Sequence, residues 1–151
     1  ALLELLQLEG CIVTIDAMGC QHAIAERIQA QGADYVLALK GNQPRLAEAV
    51  EEAFIDADAR DYADTDSQLF ETRERGHGRS ETRRYRTLTV PADLPGAQDW
   101  PGLRTLGMVE SERTVNDQVS REIRFFISSL DANAETFARA VRDHWGIENT
   151  L

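Results

Sequence analysis

Cysteine is scarce in this chain: Cys11 and Cys20 are the two it has in 151 residues. No Cys/His cluster with zinc spacing surrounds them. Their places beside a predicted strand and at a predicted helix start suggest reduced thiols rather than a disulfide. No apolar run reaches about 18 residues, which excludes a membrane-spanning helix. No basic segment leads into an apolar one, so no secretory leader is visible. Also absent are the G-x-S-x-G elbow of serine hydrolases, the phosphate loop of nucleotide hydrolases and the glycine fingerprint of dinucleotide enzymes. Basic residues are outnumbered, 16 Lys+Arg against 26 Asp+Glu, giving a formal net charge of -10. Spread evenly, that charge would argue against a nucleic-acid partner.

The charge is not spread evenly. Glu48, Glu51, Glu52, Asp56, Asp58, Asp61, Asp64, Asp66 and Glu71 face a lone Arg60, whereas Arg73, Arg75, Arg79, Arg83, Arg84 and Arg86 follow with only Glu74 and Glu81 among them. A local basic stretch can meet phosphates on an acidic domain, although a mixed, solvated face accounts for any single arginine in it. With 42% apolar residues, the chain can bury a core of ordinary size for one domain.

Leu2, Leu3, Leu5, Leu6 and Leu8 read as the end of a helix closed by Gly10, so the chain is expected to begin in mid-helix. Residues 11–15 are a short apolar run rich in β-branched residues, as in a buried parallel strand, and residues 35–39 read as a second buried strand. Between them Ala23, Ile24 and Ile28 keep helical spacing up to Gly32. Strand, helix and strand in about 30 residues predict a parallel βαβ unit with a right-handed crossover. Pro44 opens the next helix, capped by Asn42 or Gln43, with Leu46, Val50, Ala53 or Phe54, and Ala57 as its stripe. Residues 58–78 read as a polar, aperiodic loop. Strands are expected at 82–90, 103–114 and 121–130, with Asn116-Asp117 as a hairpin turn. A last helix, capped by Asp131 or Asn133, carries Ala134, Phe137, Ala138, Val141 and Trp145, and Glu148 continues that apolar stripe.

Two acids therefore stand out. Asp16 ends a strand, where the active residues of open α/β sheets collect, although an Asp there is often a turn or helix cap. Glu148 lies on a helix far away in the sequence. Carboxylates drawn from distant elements suit a two-metal phosphoryl-transfer site. His22 and His144 are assigned structural or substrate-contact roles, and His77 an exposed one.

The blocks Val13-Thr14-Ile15-Asp16-Ala17-Met18-Gly19, Leu39-Lys40-Gly41-Asn42-Gln43, Gly76-His77-Gly78-Arg79 and His144-Trp145-Gly146-Ile147-Glu148-Asn149 occur in that order. Together they resemble the DDE transposases of bacterial insertion sequences, in the branch of the H-repeat-associated proteins. The resemblance runs over essentially the whole chain.

It implies an α/β fold with a partial ribonuclease H-like core at 1–57 and 131–151, and an acidic loop plus β-rich insertion at 58–130. It implies Asp16 and Glu148 as catalytic acids and metal ligands, with Mg²⁺ (Mn²⁺ as substitute) as cofactor, two ions in the intact enzyme. The first Asp of the triad would lie upstream of Ala1, so the chain is expected to be cut at both ends and inactive alone. DNA, as element ends and target, is the implied partner, with a homo-oligomer in a cytoplasmic, nucleoid-associated protein. Lys40, Asn42, Gln43, Arg79, Arg83, Arg84, His144 and Asn149 are the expected DNA contacts. Val141 and His144 stand where the wider group has Tyr and Arg, so those two roles do not carry over. A degenerate or domesticated remnant that only binds DNA or protein is the rival reading. A related nuclease without strand transfer is a third.

Overall fold

The computed structural model describes residues 10–15, 22–39 and 43–150, the last seven of these by their backbone. Strand β1 (Ile12–Ile15), helix α1 (His22–Ala30) and strand β2 (Asp34–Leu39) form the expected unit, with Ile12 opposite Asp34 and Ile15 opposite Leu37 in parallel register. Helix α2 (Pro44–Ala59) starts at Pro44, whose fixed φ suits a first turn, and buries Leu46, Val50, Phe54 and Ala57. Strands β3 (Ser67–Gly76), β4 (Arg79–Thr89), β5 (Thr105–Val115) and β6 (Gln118–Ser128) follow, and helix α3 (Ala134–Thr150) closes the chain. The Asn133 side chain caps α3, its Oδ1 accepting the Thr136 N–H at 3.0 Å. The fold is mixed α/β. No helix among the described residues is long and apolar enough to cross a membrane.

All six strands join one sheet in the order β1-β2-β6-β5-β4-β3. The β-rich segment thus continues the sheet of the βαβ unit, through antiparallel pairing of β6 with β2 (Val36 opposite Ser128, Leu39 opposite Phe125). Serines secure that seam: Ser128 Oγ donates to the Tyr35 carbonyl at 2.8 Å, and Ser129 Oγ accepts the Tyr35 N–H at 2.9 Å.

One expectation fails. Residues 58–78 are not a loop: α2 runs on to Ala59 and β3 occupies Ser67–Gly76, leaving 60–66 as the connection. Strand β3 lies at the sheet edge and is largely exposed on both faces, so its sequence lacks the apolar alternation that marks a half-buried strand. Backbone pairing with β4 and cross-strand charges hold it instead. A charged edge also resists pairing with other chains.

The sheet has a core on each face. Toward α1 and α2, Ile28, Tyr35, Leu37, Val50, Phe54, Leu106 and Ile127 are buried together; His22 stands edge-on to Trp100 there, with ring centres 4.5 Å apart. Toward α3, Val36, Tyr85, Val109 and Phe126 meet Phe137, Ala138 and Val141. Phe137 crosses the sheet above Gly107, where a Cβ would clash with its ring. Glycine is required there for close approach, not for φ.

Candidate catalytic edge and nucleic-acid arm

The two parallel strands end on the same side of the sheet. Ile15 closes β1 and runs into Asp16; Leu39 closes β2 and runs into Lys40. Asp16, Lys40 and Asn42 lie outside the described residues, as do the side chains of His144, Glu148 and Asn149. Gln43, at the same end of the sheet, is the N-cap residue of α2, without a side-chain cap hydrogen bond.

Position 148 falls in the last turn of α3. The helix starts over the far edge, where the Ala134 N–H donates to Gln68 Oε1 of β3 at 3.1 Å. Its Phe137 then meets Tyr85 of β4, Gly107 of β5 and Phe126 of β6. It also packs against β2 and β1, contacts that fall to its C-terminal half because its start is fixed at β3. Seventeen residues rise about 25 Å, and six strands span about 24 Å. The helix is thus long enough to carry its C-terminal turn from one sheet edge to the other, toward the strand that leads into Asp16. Among the described residues no three His, Cys, Asp or Glu side chains gather as a metal-binding set.

Beyond this edge the sheet continues as an arm. Phe125 is level with Leu39, and β6 extends seven positions farther out, to Gln118, about 23 Å. The hairpins β3–β4 and β5–β6 both end there. Their turns use His77 and Gly78 (φ 45° and 77°) and Asn116 and Asp117 (φ 51° and 66°). Positive φ at both central residues is the turn that matches strand twist. The Asn116-Asp117 turn fulfils the sequence expectation, and His77 is exposed as expected.

The expected DNA-contacting arginines do not form one patch. Alternation puts Arg83 on the α3 face and Arg84 on the opposite face, and both already meet carboxylates. Arg84 bridges Glu71 and Glu110, at 3.0 Å each. Burial pulls its guanidinium down, but the Glu110 and Glu71 carboxylates outweigh that and hold it above its ordinary value. A hydrogen bond from Arg73, helped by Arg84, keeps Glu71 below the usual carboxylate range. Partial burial raises Glu81, yet bonds from Arg83 and Arg113 leave it lowered overall. Arg83, Arg113 and Arg124 line a groove of about 200 Å³ beside Val141 of α3, with Glu122 in its wall. Arg79 stands apart, on the first rung behind the β3–β4 turn.

Sequence reasoning missed the Glu71–Arg84–Glu110 ladder, since its residues are separated in the chain and no periodicity links them. It also missed the Phe137–Gly107 contact. A glycine inside a predicted strand is a signal for close approach that could have found it.

The sequence profile of the transposase DDE domain matches residues 1–151. The H repeat-associated putative transposase YhhI of Escherichia coli is 41% identical over 99% of this chain and 40% of its own length. The same figures hold for the Escherichia coli protein YbfL. A protein in the dhlA 3' region of Xanthobacter autotrophicus is 46% identical over 87% of the chain and 43% of its own length. The chain thus spans about two fifths of the relatives it matches. No solved structure matches it. A profile that covers every residue and relatives alike over nearly the whole chain lead to one conclusion: the chain belongs to the DDE-domain transposase family.

Proposed function

We propose that this chain is part of the catalytic domain of a DNA transposase with a ribonuclease H-like core, in which Asp16 and Glu148 are two of the three catalytic acids. The observation that carries the reading is the course of α3, from β3 across the sheet to β1, together with the family match. Carboxylate oxygens are the hard donors that Mg²⁺ takes, so this donor set fits a pair of magnesium ions. Bound there, Mg²⁺ would activate the attacking oxygen and stabilise the leaving one during cleavage and joining of DNA phosphodiesters.

The chain's own residues would orient the DNA. The start of α2 offers backbone N–H groups and the positive end of the helix dipole, beside Lys40, Asn42 and Gln43, to a phosphate. Position 148, in the last turn of α3, would supply its acid from a separate element.

The test uses the full-length protein that contains these residues. Asp16→Asn and Glu148→Gln should each reduce Mg²⁺-dependent nicking of a terminal DNA substrate below detection, as should chelation of the metal, without loss of DNA binding. Nicking that survives both substitutions removes the acids from the mechanism. Nicking without joining of the 3′-hydroxyl end to a target duplex would leave a plain nuclease, and binding without either reaction would leave a remnant.

A further inference from the structure

We infer that the tip of the β3–β4 hairpin is the DNA-contacting element of the arm, with Arg75 and Arg79 as its phosphate contacts. The inference rests on the DNA reading above.

Its basis is which arginines the protein leaves unneutralised. Within the four-stranded arm and its connections, Arg73, Arg83, Arg84, Arg104, Arg113, Arg121 and Arg124 each lie within ion-pair distance of a carboxylate. Arg86 sits over the Tyr62 ring, 4.0 Å from its centre. Arg75 and Arg79 have no such partner among the described residues, and both are exposed. A surface that pairs nearly every arginine and leaves two bare at one turn has its uncompensated positive charge at that turn.

Their geometry suits a groove. Arg79 pairs with Gly76 on the first rung behind the turn and Arg75 with Ser80 on the second. Strand alternation puts Arg79 on the α3 face and Arg75 on the other. A ribbon entering a DNA groove tip-first turns its two faces toward the two phosphate walls, and the major groove, about 12 Å wide, admits a two-stranded ribbon. The arm also projects on the side where β1 and β2 end. Its tip lies about 23 Å beyond the end of β2, roughly two thirds of a duplex turn. One duplex could meet both the edge and the tip.

Three acids stand near the charge. Glu74 faces Glu81 on the third rung, behind the arginines, and Asp117 occupies the neighbouring turn. Asp117 therefore acts as a brake on binding.

The experiment is duplex DNA binding by the full-length protein that contains these residues, measured by fluorescence anisotropy over a range of salt concentrations. Each phosphate contact contributes about 0.9 to the slope of log affinity against log salt, so Arg75→Ala/Arg79→Ala should lower that slope by about 1.8. Arg60→Ala/Arg104→Ala, an equal change of net charge at exposed ion pairs away from the tip, should leave the slope unchanged. Asp117→Asn, which keeps a residue tolerant of positive φ, should tighten binding. If the tip variant binds like the parent, or the control loses as much, the tip assignment is overturned while the DNA reading stands. If the unsubstituted full-length protein binds no duplex even at low salt, the DNA reading itself fails.

Discussion

One sheet is held together in two ways. Its inner part, where β2, β6 and the near ends of β4 and β5 lie between helices, is sealed by apolar residues on both faces. Its outer part, the arm, reaches past the helices, and its rungs are arginines, glutamates and threonines. Backbone pairing continues unbroken from one part to the other. What changes is the side-chain term, from buried area worth about 25 cal/mol per Å² to exposed ion pairs worth about 0.2–1 kcal/mol each. The inner part therefore fixes the fold, whereas the arm is free to vary its charges for binding.

Phe137→Ala offers the sharpest break in that comparison. It removes the ring that Tyr85 and Phe126 pack against edge-on and that closes over Gly107, and it should cost about 3–5 kcal/mol in chemical denaturation. A loss under 1 kcal/mol would mean that α3 is not seated on the sheet as described. Gly107→Ala comes next, at about 1–3 kcal/mol, because the new methyl meets a buried ring that has little room to yield. An unchanged melting temperature would show that the ring can move aside.

Acid should have a smaller effect, confined to the arm. Glu71 and Glu81 are held below the usual carboxylate range. Their stabilisation is fully present above the unfolded-state value of about 4.3 and is lost as pH falls through the folded-state values. Amide exchange in β3 and β4 should thus quicken, relative to β2, as pH is lowered below about 4. Equal protection in both parts at low pH would mean that the ladder contributes nothing.

The βαβ unit, α2, the last three strands and the cap of α3 were legible because their signals are local. Apolar runs, Pro44, Asn133 and the Asn116-Asp117 pair each act within a few residues. Strand β3 was not, because Glu71 reads as part of an acidic run until Arg84 is opposite it. The site divides in the same way. Asp16 and Glu148 could be named from their blocks, whereas the sorting of arginines into paired and bare depends on which strands are neighbours.

The sequence by itself determined every described element type except β3, together with the family and the candidate acids, because periodicity, turn chemistry and motif are properties of neighbouring residues. Tertiary structure alone decided that the β-rich segment extends the same sheet, that α3 spans it toward β1, and that Arg75 and Arg79 have no carboxylate partner among the described residues. Those outcomes depend on pairing between residues tens of positions apart, and strand register, not local composition, sets which charges meet.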